Sequence, residues 1–194
     1  QDLRAWFLAM QYWLGGTDEN IESMLRFLIS RYSRVEGWRG CKTEMPKDYP
    51  DVGLYHPDSK GKIFDSIEDL PKLESPVGTI GILLMRSYVL SGDTAHYDAV
   101  IKRFAEHNIQ VVPAFSGGLD ARPAIEKYFK NSEKPVIDGL LSLTGFSLVG
   151  GPAYNDSEAA VSVLRELNLP YVAAHPLEFQ TLSQWSGSSG GLGP

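Results

Sequence analysis

Four short segments carry most of the polar chemistry of this 194-residue chain. They are Arg86-Ser87 with Ser91-Gly92-Asp93, Ser116-Gly117-Gly118-Leu119-Asp120, Thr144-Gly145 with Gly150-Gly151, and His175-Pro176-Leu177-Glu178. Each follows an apolar run and reads as the exit of a buried strand. In a doubly wound sheet such exits gather on one edge, where ligands bind. Together they offer main-chain N–H groups, the carboxylates of Asp93 and Asp120, the His175 imidazole and the Arg86 guanidinium. That set suits a polar or anionic ligand. Gly117, Gly118, Thr144, Gly150 and Gly151 are the expected ligand-edge positions.

Plainer readings compete for several of these residues. Asp93 precedes a helical pattern and reads as an N-cap. Gly117-Gly118 supplies positive φ for a turn. Neither glycine pair matches G-x-G-x-x-G or G-x-x-x-x-G-K-[ST], which excludes a dinucleotide site and an autonomous ATP site. Ser87, Ser91 and Ser116 lack the G-x-S-x-G elbow of a hydrolase. The four histidines, His56, His96, His107 and His175, show no metal-ligand spacing, and Cys41 has no partner cysteine. His107 ends a helix, and His96 is expected on its solvated side. His56 and His175 precede prolines and sit in extended backbone. Of the four, only His175 closes a strand at the ligand edge, so it is the candidate base.

The elements that must position these groups follow from periodicity. Leu3, Trp6, Phe7, Met10, Trp13 and Leu14 make one helical face, and Gly15-Gly16 ends it. Thr17-Asp18 then caps a second helix running to about Tyr32. This helical hairpin occupies residues 1–34, and its aromatic face is expected to pack on something. Residues 35–76 hold five prolines and read as an irregular arm, with Val52–Pro57 a short edge strand ending at the proline and Ile67–Leu70 one helical turn. From 77 to 185, apolar strands (77–85, 109–115, 136–143, 171–174) alternate with helices (93–108, 121–129, 157–167). Strands apolar throughout mean a parallel sheet covered on both faces. The fold class is therefore α/β, a doubly wound, mostly parallel Rossmann-like or flavodoxin-like sheet. Residues 186–194 form a Gly/Ser tail.

Composition narrows the partners. A net charge of −6 argues against nucleic acid. The apolar runs fall short of the roughly 20 residues of a membrane span. The hydrophobic content of 43% suffices for a packed core. The start at Gln1 inside an amphipathic pattern, and the Gly/Ser-rich finish, suggest an excised piece of a longer polypeptide.

Several runs are distinctive in wording as well as in pattern. Phe7-Leu8-Ala9-Met10-Gln11-Tyr12-Trp13-Leu14-Gly15-Gly16, Gly92-Asp93-Thr94-Ala95-His96-Tyr97 and Ser142-Leu143-Thr144-Gly145-Phe146-Ser147-Leu148-Val149-Gly150-Gly151-Pro152-Ala153 resemble the large H subunits of magnesium chelatases. Asp51–Pro57, Phe115–Asp120 and Pro176–Thr181 resemble them too, in the same order along the chain. The superfamily also contains the cobaltochelatase large subunit. The resemblance implies a porphyrin-binding subunit that takes Mg²⁺ and protoporphyrin IX as substrates in (bacterio)chlorophyll synthesis. It implies ATP bound by partner subunits and not by this chain: an AAA+ ATPase and a companion with an integrin-like domain. It implies a cytoplasmic setting and further domains of the same large polypeptide. Within this chain Asp120, Glu178 and His175 lie in loops suited to taking protons or handing over metal. Two alternatives stay open, a cobaltochelatase large subunit and a non-catalytic module that docks the motor subunits.

Overall fold

The computed structural model describes residues 2–59, 63–132, 134–151, 154–175 and 180–191. The chain divides into two compact units, one of residues 1–51 with 86–94, the other of 52–85 with 95–194.

In the first unit, α1 (Asp2–Gly15) and α2 (Asp18–Tyr32) form the expected hairpin. Thr17 caps α2 by accepting a hydrogen bond from the Asn20 N–H at 3.3 Å. The irregular stretch that follows is pinned by side chains. The Tyr12 hydroxyl donates to the Glu44 carbonyl. Asn20 exchanges two bonds with Lys47: its Nδ2 donates to the Lys47 carbonyl and its Oδ1 accepts from the Lys47 N–H, both at 2.9 Å. Arg86 to Ser91, expected as a strand exit, form a helix instead, α3 (Arg86–Ser91). Its first residue donates to Pro50 O at 2.8 Å and to Tyr49 O at 2.9 Å. Arg86 is therefore spent on holding main chain in place, not offered to a ligand.

The second unit is built on a six-stranded sheet. Its strands are β1 (Val52–Tyr55), β2 (Ile63–Phe64), β3 (Gly78–Met85), β4 (Ile109–Ser116), β5 (Gly139–Ser142) and β6 (Tyr171–Ala173). The spatial order is β6-β5-β3-β4-β1-β2, with β6, β5, β3 and β4 parallel and β1 and β2 antiparallel additions. The parallel part is the doubly wound order expected from the alternation of strands and helices. Val52–Tyr55 is not an edge strand: β2 lies outside it. Pro113 is unusual within a central strand. The β1 ladder on β4 covers only Ala114 to Ser116, so pairing on that side stops just before the proline.

Helices α4 (Ala95–Glu106), α5 (Arg122–Ala124) and α6 (Ser157–Leu167) connect the parallel strands, and α7 (Leu182–Ser186) follows β6. After α5 the chain widens into a π-turn, Ile125–Phe129, where a plain helix over 121–129 was expected. The third strand is shorter than the expected 136–143: Val136 N–H bonds instead to Phe129 O at 2.9 Å, beside a ribbon that pairs Lys134–Pro135 with Lys130–Asn131. Asp156 caps α6 by accepting from Ala159 N–H at 2.9 Å, and Asn168 ends it with a left-handed φ of 49°. Leu54, Leu83, Ala114, Ile125, Phe129, Leu140, Val149 and Leu167 form one continuous core across these elements. Burial of that apolar surface, at about 25 cal/mol per Å², is the main force holding the sheet to its helices. Among the described residues no helix is long and apolar enough to cross a membrane.

Candidate functional site

The order of the parallel strands fixes where a site can form. The chain leaves β3 for β4 on one side, then crosses back to β5 on the other. The crevice beyond the carboxyl ends of β3 and β5 is therefore the topological switch point. A shallow cleft lies there, lined by Met85, Ser116, Gly118, Asp120, Thr144 and Ser147 among others. The cavity itself holds about 20 Å³, room for about one water, whereas ligand pockets span about 300–1,000 Å³.

Its walls are two loops stitched together by main chain. Asp120 and Val149 form an isolated antiparallel bridge. Ala121 N–H donates to Leu148 O at 2.8 Å, and Gly150 N–H to Leu119 O at 2.9 Å. The Ser116 hydroxyl donates to Asp120 O at 2.7 Å. The loop after β4 and the loop after β5 thus behave as one preformed surface.

Asp120 turns its carboxylate to Arg122, with contacts of 2.6 to 3.0 Å to the guanidinium and one to the Arg122 N–H. The Arg122 hydrogen bonds hold the Asp120 carboxyl below its usual range, and Asp120 raises Arg122 in return. Asp120 is therefore a fixed anion near neutral pH. A proton carrier works best with a pKa near the operating pH, which this pairing opposes.

Thr144 opens the second loop. Its hydroxyl lies 3.1 Å from the Ser142 hydroxyl and accepts from Phe146 N–H at 3.2 Å. Ser142 is 1% exposed, at the end of β5. The Tyr171 hydroxyl is raised from its usual range by burial, opposed by a hydrogen bond with Ser142. A line of three hydroxyls, Tyr171, Ser142 and Thr144, therefore runs from within the sheet to the cleft.

His175 follows β6 and is exposed. Gly145 has a φ of 72°, and a Cβ there would lie 3.4 Å from His175 Nδ1. The imidazole thus sits against the loop that begins with Thr144, which brings His175 and Thr144 to the same sheet edge. Gly117 belongs to the β4 exit loop but does not line the cleft. Gly150 and Gly151 pair with Tyr154–Asn155 in a ribbon behind the loop. Glu178 lies outside the described residues, as do Pro152 and Ala153. Asp93 and Arg86 belong to the first unit. His96, expected to be solvated, is half-buried with its ring 3.9 Å from that of Tyr97.

Sequence reasoning passes over Ser142 and Ser147. Ser147 Oγ donates to Val149 O at 2.8 Å and lies 2.6 Å from Asn155 Oδ1. Nothing in their types distinguishes them from other loop serines; only the sheet register does. Among the described residues no group of three His, Cys, Asp or Glu is arranged to hold a metal ion.

Comparison with known proteins decides the family. The CobN/Magnesium Chelatase family profile matches residues 10–194. The chain belongs to that family. This CobN/magnesium chelatase chain is 62% identical over its whole length to the magnesium-chelatase H subunit of Rhodobacter capsulatus. It is 35% identical to the chloroplastic magnesium-chelatase ChlH subunit of Oryza sativa, again over the whole chain. It spans only 16% and 15% of those two relatives. The catalytic subunit of cobaltochelatase from Mycobacterium tuberculosis superposes with a TM-score of 0.59 over 98% of this chain and 15% of its own. At 17% identity that likeness shows a shared fold. Both branches of the family thus carry this doubly wound unit.

Proposed function

We propose that this chain is one portion of the H subunit of a magnesium chelatase, the large subunit that binds protoporphyrin IX and receives Mg²⁺. The observation that carries the reading is the 62% identity to a magnesium-chelatase H subunit across the entire chain. In this reading Mg²⁺ and protoporphyrin IX are substrates, and Mg-protoporphyrin IX is the product. ATP is hydrolysed by partners, an AAA+ subunit and its integrin-domain companion, and the complex works in the cytoplasm. The portion alone does not catalyse.

The chemistry sets what the cleft must do. Mg²⁺ keeps its waters and prefers oxygen ligands. Its insertion requires water to be stripped and two pyrrole protons to be removed. His175, whose ring lies against the loop that Thr144 opens, is the proton acceptor of this edge. Asp120, held ionised by Arg122, supplies fixed charge and does not carry protons. Thr144 and Gly118 present hydroxyl and polar main-chain groups toward a propionate or a hydrated ion, and Gly117 supports the turn beside them. Gly150 and Gly151 hold the loop from behind. Glu178, outside the described residues, stays a candidate carboxylate on the strength of the sequence alone.

The test is alanine substitution of Asp120, His175 and Glu178, one at a time, in the full-length subunit assayed with its motor partners. Loss of a general base typically costs 10²–10⁴-fold, so His175→Ala is expected to lose at least about 100-fold in Mg²⁺ insertion. Rates within twofold of wild type for all three would show that this portion is scaffold. Insertion of Co²⁺ in preference to Mg²⁺ would move the chain to the cobaltochelatase branch.

A further inference from the structure

α1 is apolar on two opposite sides. Ala5 and Tyr12 are buried and Leu8 and Ala9 half-buried, a stripe with spacings of three and four. Leu3, Trp6, Phe7, Met10, Trp13 and Leu14 form a second stripe with the same spacing. At 100° per residue the two stripes are centred on nearly opposite faces. The polar residues of the helix are three: Arg4 and Gln11 along one boundary, and Asp2 in the first turn at the other. A helix that is apolar nearly all round belongs in an interior.

The second stripe is open. Trp6 is 56% exposed, Phe7 57%, Trp13 60%, Leu3 68% and Leu14 70%. The Trp6 and Phe7 rings meet edge to face at 5.0 Å, so the patch is already ordered. From the size of such side chains, the five expose on the order of 600 Å². The largest apolar patch on a typical monomer is about 300–600 Å². An interface between domains of one chain covers about 600–1,500 Å².

We infer that the outer face of α1 is an internal interface of the full-length large subunit, covered by another part of the same polypeptide. Relatives aligned over all of this chain are about six times its length, since it spans 16% of them. Most of the polypeptide is therefore available to cover the patch. The composition favours an obligate contact: three aromatics and two leucines without a charged residue among them. A motor subunit that binds and releases would meet a more polar surface ringed by charge. The inference rests on the chain being one portion of a large subunit, as proposed above.

The experiment is hydroxyl-radical footprinting of the native full-length subunit, alone and at low concentration, read by mass spectrometry at Trp6 and Trp13. The urea-unfolded subunit sets full reactivity, and Tyr12 is the buried reference. Both tryptophans are expected to react at least tenfold more slowly than in the unfolded chain. Reactivity close to the unfolded value would overturn the inference. So would protection that appears only as subunit concentration rises, which assigns the face to a second copy. Protection that appears only when the motor subunits are added would overturn it in their favour. Mg²⁺ insertion measured on the same preparation separates the two readings. An active subunit with reactive Trp6 and Trp13 sinks this inference alone; an inactive one with both protected sinks the functional reading alone.

Discussion

One added methyl group at Gly150 should unpick the ligand-edge loops from behind. Gly150 has a φ of 101°, beyond the left-handed helical well. An alanine held there costs about 1–3 kcal/mol in backbone strain. Space is the second obstacle. Its Cβ would lie 2.9 Å from Asn155 Cα and closer still to Tyr154 O. Both obstacles are main chain, so no rotamer change relieves them. The Gly150–Gly151 and Tyr154–Asn155 ribbon must part, and the Gly150 N–H bond to Leu119 O is strained with it. Loss of two such bonds adds about 1–3 kcal/mol. Gly150→Ala is therefore expected to cost about 3–5 kcal/mol. Gly118→Ala is the control. Its φ of 80° is also left-handed, but a Cβ there meets nothing within 4 Å. Strain alone, about 1–2 kcal/mol, is expected. Urea denaturation followed by circular dichroism measures both, and the difference should be about 2–3 kcal/mol at unchanged m. Hydrogen exchange at the Ala121 amide, bonded to Leu148 O, should accelerate in the Gly150 variant only. Equal costs for the two variants would refute the close approach.

Two further outcomes follow from buried polar groups. Asn20→Ala removes both bonds to the Lys47 main chain at a residue 1% exposed, and should cost about 2–3 kcal/mol in the same denaturation assay; a cost below about 0.5 kcal/mol would show that this stretch is not held there. His56 is pushed below its usual 6.5 by burial, with Asp58 and Asp98 pulling the other way. The unfolded chain then binds more protons than the folded one as pH drops through 6.5, so stability is full above 6.5 and falls below it. His56→Gln should flatten that loss between pH 7.5 and 5.5, and an unchanged pH slope would show that His56 contributes nothing to it.

The parallel strands were legible because each is a continuous apolar run bounded by turn residues, and α6 was legible to the residue from its apolar period. β1 was legible as a short strand but β2 outside it was not, because two residues leave no period to read. The π-turn at Ile125–Phe129 reads as plain helix, since its apolar pattern resembles a helical one over so few residues. Within the candidate site, Thr144, Gly118 and Asp120 were legible as strand-exit residues. The Asp120–Arg122 pair was hidden, although two residues apart, because a loop's local geometry is not written in a period. Ser142 was hidden for a different reason: it reads as one more strand residue until the register puts it beside Thr144 and Tyr171.

The cleft and the helical hairpin lead to one conclusion by separate routes. The loops at the switch point are tied together and polar, yet the cavity between them is about 20 Å³, room for about one water and far too little for a tetrapyrrole. A macrocycle at this edge would need a second wall. The open face of α1 needs a cover, and 84% of a relative's length lies outside the aligned part, the remainder after the 16% this chain spans. Under the proposed function the same missing polypeptide supplies both. The sheet edge then serves as one side of a larger cavity, and its preformed loops matter because they hold their polar groups in place before the opposite wall closes over the ring.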